Sequence, residues 1–140
     1  MMSGAFDLRR FAIAQNPVIA DVMAELKAGL KRSHWMWSVF PQIAGLGMSA
    51  MSQRYAIAGL AEARAYLADQ VLGPRLRRCT ETVIAVQDRT AEQIFGAVDA
   101  QKFHSSITLF RAAAPDEPLF SAALDKYFSG APDEATLRKL

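Results

Sequence analysis

Cysteine and histidine are scarce in this sequence, which has one cysteine and two histidines among 140 residues. A lone Cys79 excludes an intramolecular disulfide and any metal site built from several thiolates. His34 and His104 do not stand in a metal-binding spacing such as H-x-x-x-H, so neither a metal ion nor a cofactor is predicted. Several enzyme signatures are also absent, including the P-loop, the Rossmann glycines and the nucleophile elbow. Whether the protein is an enzyme therefore stays open.

Long hydrophobic runs are missing too. The longest stretch without Asp, Glu, Lys or Arg, residues 33–53, contains Pro41 together with glycines and polar residues, so it is no membrane span. The N-terminus lacks the apolar core and the cleavage site of a signal peptide. We therefore expect a cytoplasmic protein that does not contact the membrane.

Charge of the two signs is nearly balanced, with a formal net charge of +2, but it is unevenly distributed. Residues 27–78 contain eight Lys and Arg against two acids, and the rest of the chain contains eight against twelve. This local excess favours an anionic ligand if the fold gathers the side chains, whereas solvated helix surfaces would explain it without a ligand. Nucleic acid is not expected as a partner, because the net charge is low and no known binding module is recognisable.

Helical periodicity dominates the sequence, and no segment alternates like a strand. One series of apolar residues at intervals of three and four is Ile19, Val22, Met23, Leu26 and Leu30. The composition, 51% hydrophobic and 21% charged, is that of an ordinary globular protein. The sequence therefore predicts an all-α protein, a compact multihelical single domain over residues 1–140 with about seven to nine short helices.

Capping signals set the expected helix ends. Thr90 and Gln93 fit a capping box, and Gly29, Pro41 and Gly130 are candidate stops. The resulting helices include residues 8–15, 17–28, 60–68 and 74–86, and residues 42–48 are expected to form a loop. Other candidate first residues or N-caps are Asp7, Ser33, Ser49, Asp99, Pro118 and Pro132 or Asp133.

The most distinctive segment is residues 31–42, which holds both tryptophans and one of the two histidines. It is apolar almost all round a helix, so most of its large side chains are expected in the core. These are Trp35, Met36, Val39 and Phe40. A helix that begins at Ser33, directly after Lys31 and Arg32, would suit a phosphate or carboxylate. The indole of Trp37 could then stack on a base or a sugar.

A second polar cluster lies in residues 99–108. On a helix, His104, Thr108 and Arg111 form one stripe beside an apolar stripe. Lys102, Ser105 and Ser106 add further polar groups, and such a polar set could line a cleft. Alternatively, His104 is a partly buried histidine bonded to a carbonyl, and Asp99 is an N-cap.

Residues 31–42 also carry a resemblance to a known family. Together with Gly45-Leu46-Gly47, residues 72–76, 99–102 and 105–110, they resemble a bacterial family of unknown function that often carries the label calpastatin. That resemblance covers nearly the whole chain and implies a small multihelical cytoplasmic domain without an established activity.

Residues 61–63, 72–73 and 92–96 are similar to a helical family acting on N-glycosides of the ADP-ribose and riboflavin-intermediate type. This second resemblance implies N-glycosidic bond cleavage assisted by a carboxylate such as Glu62 or Asp99.

Two hypotheses for the function follow. In the first, residues 31–42 and 99–108 form the walls of a cleft for a small anionic, nucleotide-like ligand. His34 or His104 would move protons if the site is catalytic. The expected ligand-binding residues are Lys31, Arg32, Ser33, His34, Trp37, Arg54 and Lys102.

In the second hypothesis, the Trp-rich segment is a protein interface, and the chain is an interaction module that forms a homodimer rather than a monomer. The two hypotheses differ in structure, because a closed polar cleft would favour ligand binding and a flat exposed tryptophan patch would favour an interface.

Overall fold

A computed structural model describes residues 6–140. Within that range the protein is all-α, as predicted, with ten helices rather than seven to nine. The helices are α1 Arg9–Gln15, α2 Ile19–Ala28, α3 Met36–Val39, α4 Ala50–Arg54, α5 Leu60–Ala68, α6 Leu72–Ala85, α7 Ala91–Phe95, α8 Ala97–Ala113, α9 Pro118–Phe128 and α10 Glu134–Lys139. None of these ten combines the length and the hydropathy that a membrane span requires.

Several helix ends follow the local signals. α5 spans the predicted residues 60–68, and α9 begins at Pro118. α7 begins with the predicted capping box, in which the Thr90 hydroxyl accepts from the Gln93 amide at 3.1 Å and the Gln93 side chain accepts from the Thr90 amide at 2.9 Å. α2 ends at Ala28 and is capped by Gly29, where a φ of 72° favours glycine. Each of these ends depends on residues that are neighbours in the sequence.

Three predicted N-caps are wrong. Asp7 makes no side-chain cap for α1. α3 begins at Met36 rather than after Ser33, because the chain around Ser33 is bonded to a carboxylate of α2 instead of continuing as a helix. Asp99 lies inside the first turn of α8, since Gly96 at φ 84° lets the chain turn directly from α7 into α8.

α8 is the central helix and packs against α5, α7, α9 and α10. The core residues predicted in the Trp-rich segment are at most 2% exposed, namely Trp35, Met36, Val39 and Phe40. Phe40 meets Phe103 of α8 edge to face, with ring centroids 5.1 Å apart. The Trp-rich segment is therefore wedged against the central helix. Cys79 is buried, in keeping with its position on the apolar stripe of α6.

The loop after α3 is fixed to the chain in front of α5. The Ala44 amide donates to the Ile57 carbonyl and the Ile57 amide donates to the Gln42 carbonyl, both at 2.8 Å, which forms an isolated parallel bridge. Gly47 packs tightly against α4, because a Cβ added there would lie 2.3 Å from the Ser52 Cβ. These contacts hold the loop beside the N-terminal half of α8.

Candidate ligand-binding cleft

A surface cleft of about 470 Å³, here called the main cleft, lies between α8, the loop after Gln42 and the start of α10. Its volume is within the range of small-molecule sites. Both segments predicted as cleft walls, residues 31–42 and 99–108, contribute to it. Its lining residues are Gln42, Leu46, Gly47, Val98, Gln101, Lys102, Ser105, Asp133 and Ala135.

One wall of the main cleft is a single stripe of α8. Its members follow the spacing i, i+3, i+4 and i+7, so their side chains share one helix face. They are Val98, Gln101, Lys102 and Ser105. The sequence names the neighbouring stripe of His104, Thr108 and Arg111 together with three further polar residues, and two of these, Lys102 and Ser105, line the main cleft. Helical spacing alone does not say which stripe faces a cleft.

A narrow arm adjoins the main cleft, and Gln42 and Lys102 line both. Trp37 and Tyr55 stack in this arm, with ring centroids 5.1 Å apart and planes inclined by 22°. The arm has a volume of only about 10 Å³, which is close to the space that one water molecule needs. Trp37 therefore lines the narrow arm as part of an aromatic pair that already fills most of its surroundings, and ligand binding by Trp37 stays a prediction.

Asp133 lies in the main cleft and is the N-cap of α10. Its Oδ2 accepts from Ser105 Oγ at 3.0 Å, Thr136 N at 3.2 Å and Thr136 Oγ1 at 2.6 Å, and its Oδ1 accepts from Gln101 Nε2 at 3.0 Å. Burial raises the pKa of this carboxyl, but the hydrogen bonds outweigh burial and lower the pKa overall. Asp133 is thus a fixed negative charge at neutral pH.

Three charged residues predicted for the site form an ion cluster at the start of α8. The Lys31 ammonium contacts Asp99 Oδ2 at 2.8 Å and donates to the Ser33 carbonyl at 2.6 Å, and its side chain is 8% exposed. The Lys102 ammonium lies 3.8 Å from Asp99 Oδ1. Asp99 therefore neutralises Lys31 closely and Lys102 loosely, and of the two lysines Lys102 lines the cleft.

The backbone donors that the sequence suggested for a ligand anion are bound to Glu25 of α2. One carboxylate oxygen accepts from the Arg32 amide at 2.7 Å and the Ser33 amide at 3.1 Å, and the other accepts from the Ser33 hydroxyl at 2.6 Å. The Trp35 indole donates to the same carboxylate at 3.0 Å. Burial raises the pKa of Glu25, but these hydrogen bonds lower it overall to about 2.

The remaining predicted cations and one histidine lie away from the main cleft. Arg32 and His34 are exposed side chains and line neither the main cleft nor the narrow arm. Arg54 is also exposed, and its guanidinium lies over the Tyr55 ring at 5.5 Å from the centroid. Arg54 is therefore near the narrow arm without lining it.

Two candidate catalytic residues have structural partners. Glu62 is 4% exposed, contacts Arg10 at 3.1 Å and accepts from the Ala58 amide at 2.7 Å, so it fastens the start of α5. His104 Nε2 lies 2.7 Å from the Ala131 carbonyl oxygen, and its ring stacks on Phe128 at 3.9 Å. The alternative prediction of a partly buried histidine bonded to a carbonyl is confirmed. Neither residue lines the main cleft.

The sequence assigns no individual binding role to several lining residues, although Gln42 and Gln101 lie in the predicted wall segments. They are Gln42, Ser52, Tyr55, Gln101 and Asp133. They come from four separate parts of the chain, so no local motif joins them. In residues 6–140 no group of three His, Cys, Asp or Glu side chains is placed to hold a metal ion.

The fold and the cleft together define a small all-α protein with a surface cleft beside its central helix. The chain belongs to the family described as Protein of unknown function (DUF1810), which matches residues 5–140. It is similar to the conserved hypothetical protein Rv1873 from Mycobacterium tuberculosis, with 51% identity, a TM-score of 0.95 and 97% of each chain covered. No curated protein matches the chain. The predicted membership of a family of unknown function is confirmed, but these matches give no support to the label calpastatin.

Proposed function

We propose that the main cleft binds a small anionic, nucleotide-like ligand. The observation that carries this proposal is the position of Lys102, which lines both the main cleft and the narrow arm. Its ion pair with Asp99, at 3.8 Å, is long and partly exposed, so it stabilises the protein little. A phosphate or carboxylate in the cleft can therefore compete for this lysine.

Neutral groups around Lys102 suit the rest of such a ligand. Gln42 and Gln101 offer amide donors and acceptors, and Val98 and Leu46 offer apolar surface for a ring. A cleft with apolar walls and a few convergent polar groups is the usual form of a small-molecule site.

Trp37 can contact the proposed ligand only after the narrow arm has widened. Because the narrow arm is nearly filled by the Trp37–Tyr55 pair, a base can stack on Trp37 only if the arm widens. The main cleft needs no such rearrangement. The proposed ligand therefore occupies the main cleft first, with its anionic group at Lys102.

The proposal is binding and not hydrolysis. Cleavage of an N-glycosidic bond with acid assistance needs a carboxyl group that can hold a proton near neutral pH. The carboxylates that the resemblance implies are Glu62 and Asp99; Glu62 is paired with Arg10, Asp99 is paired with Lys31, and neither lines the main cleft. The proton-donor role suggested by the N-glycoside resemblance thus has no support from these two carboxyls.

The alternative of a homodimer through the Trp-rich segment has less support. Trp35 is 1% exposed, and Trp37 is half-buried in the narrow arm. Neither ring offers the flat exposed patch that an interface would need. The main cleft is open to solvent and its polar groups stand among apolar walls, which supports a ligand more than the buried rings support an interface.

A thermal-shift screen against nucleotides, ADP-ribose, sugar phosphates and organic acids tests the proposal. A ligand of the native state raises the melting temperature through linkage. We expect at least one phosphate compound to raise it and Lys102→Ala to abolish the shift. Lys27→Ala, which removes an exposed lysine of α2, is the matched control and should keep the shift. The proposal fails if no compound acts, or if Lys102→Ala responds like the control.

A further inference from the structure

We propose that the main cleft selects a phosphorylated sugar, binding the sugar hydroxyls at Asp133 and the phosphate at Lys102. This inference rests on the proposed function, because it names the chemical class of the ligand for the same cleft. It assigns a role to Asp133, which the sequence suggested only as a helix cap.

The first argument is the unused hydrogen-bonding capacity of the Asp133 carboxylate. Oδ2 accepts three hydrogen bonds, whereas Oδ1 accepts one, from Gln101. A carboxylate has about four acceptor sites on its two oxygens, so Oδ1 has room for about one more donor. Since Asp133 lines the main cleft, we infer that a ligand donor reaches Oδ1 from the cleft.

The second argument is that the carboxylate is held in place before a ligand arrives. Bonds from Gln101, Ser105 and Thr136 fix both oxygens, so a ligand need not order the side chain. A hydroxyl group on a sugar is a suitable donor, as in dinucleotide sites where an acidic side chain binds the ribose. The Gln101 side-chain oxygen can accept from an adjacent hydroxyl, because its nitrogen donates to Asp133.

The third argument is the polarity of the cleft. Lys102 belongs to the same α8 stripe as Gln101 and Ser105, the two α8 residues that bind Asp133. The stripe thus has a cation of its own and a carboxylate bound to it. A phosphate is attracted by Lys102 and repelled by Asp133, while neutral hydroxyls are free to approach Asp133. A ligand with a phosphate and hydroxyls matches this distribution, and a ligand with anionic groups at both ends does not.

Isothermal titration calorimetry on the full chain tests the inference with two phosphates of equal carbon number, ribose 5-phosphate and n-pentyl phosphate. We expect ribose 5-phosphate to bind about tenfold more tightly, as a hydrogen bond to a charged group would give. Equal affinity, or tighter binding of the pentyl compound, overturns the sugar selection and leaves the proposed anion site standing. If neither phosphate binds and the nucleotide screen is also negative, the proposed function fails together with this inference.

Asp133→Asn distinguishes ligand recognition from a structural role. The inference predicts that the preference for ribose 5-phosphate falls to about threefold or less, because at most the contribution of Gln101 is left, and that binding of n-pentyl phosphate stays the same or improves. An equal loss for both ligands, with the tenfold ratio kept, would contradict it.

Gln101→Met is a second variant that leaves the Asp133 carboxylate and its bonds to Thr136 in place. We expect it to lower the ratio by about threefold, which corresponds to one neutral hydrogen bond. Gln70→Met, at an exposed position outside the cleft, is the control and should keep the full ratio. An unchanged ratio in Gln101→Met would count against the inference even if Asp133→Asn did not fold.

Discussion

The indole of Trp35 donates a hydrogen bond to the carboxylate of Glu25, with 3.0 Å between Nε1 and Oε1. Through this bond the most buried tryptophan of the chain is tied to the exit of α2. The same carboxylate binds the amides of Arg32 and Ser33, so it orders the entry to the Trp-rich segment. The Glu25 carboxylate thus occupies the amides to which the sequence suggested that a ligand anion would bind.

Glu25→Gln should lower the free energy of unfolding by about 1–2 kcal/mol, because it removes the charge that strengthens four hydrogen bonds. Chemical denaturation at neutral pH measures this loss. Glu81→Gln, an exposed position on α6, serves as the matched control and should change stability by less than about 0.5 kcal/mol. Equal stability of the two variants would show that the Glu25 contacts contribute nothing as a charged acceptor.

The stabilising effect of Glu25 should also depend on pH. Its pKa falls from the ordinary value of 4.5 to about 2 in the folded protein, so the folded state binds the proton more weakly than the unfolded state. The contribution is therefore complete above pH 4.5 and is lost as the pH falls towards 2. We expect the stability difference between wild type and Glu25→Gln to shrink over that range. A constant difference from pH 6 to about pH 2 would contradict the assignment.

Asp99→Asn should strengthen phosphate binding by about threefold to tenfold, because it removes a negative charge beside Lys31 and Lys102. It should also cost about 1–3 kcal/mol of folding stability, since Lys31 is nearly buried and loses its ionic partner. Calorimetric titration and denaturation measure the two effects. Asp116→Asn, in an exposed turn, is the control. Weaker phosphate binding in Asp99→Asn would instead assign Asp99 to direct contact with the ligand.

Glu62→Gln should destabilise the protein by about 3 kcal/mol and leave ligand binding intact. The reason is that Arg10 and the Ala58 amide lose a buried charged partner, while the main cleft contains neither group. Denaturation and titration of the same preparation separate stability from binding. Loss of binding in a folded variant would restore Glu62 as a site residue.

Gly47→Ala should destabilise the protein by about 1–3 kcal/mol, because its Cβ would overlap Ser52 and push the cleft loop away from α4. Gly59→Ala is a matched control, since nothing lies within 4 Å of a Cβ there and the backbone is extended, with φ 175°. Thermal unfolding of both variants is the measurement. A similar loss in both would mean that the contact with Ser52 is not the cause.

The helices could be predicted where their signals are local. The capping box of Thr90 and Gln93, the left-handed Gly29 and the apolar stripe of α8 each involve residues within a few positions of one another. Asp99 is a residue type that often caps helices, but the turn at Gly96 starts α8 earlier, so Asp99 lies inside the first turn. The Trp-rich segment was correctly predicted as mostly core, since an element that is apolar on all sides must be enclosed.

The site could be predicted only in part. Composition points to the wall segments 31–42 and 99–108 and to Trp37 and Lys102, which line the main cleft or its narrow arm, while their binding of a ligand stays a prediction. It assigns no individual role to Gln42 or Asp133, because a glutamine beside a loop and an aspartate at a helix start have ordinary explanations of their own. Their position in one cleft depends on the Ile43–Ile57 bridge and on the packing of α10 against α8.

Periodicity and capping signals in the sequence are enough to predict an all-α protein, most of its helices and several of its buried large side chains, because both act between near neighbours. The packing of separate elements sets which stripe of α8 faces the cleft, that Glu25 binds the amides before Trp35, and that Asp99 lies closer to Lys31 than to Lys102. These outcomes depend on distances between separate elements, which are set by how the whole core packs and not by the residues beside each one.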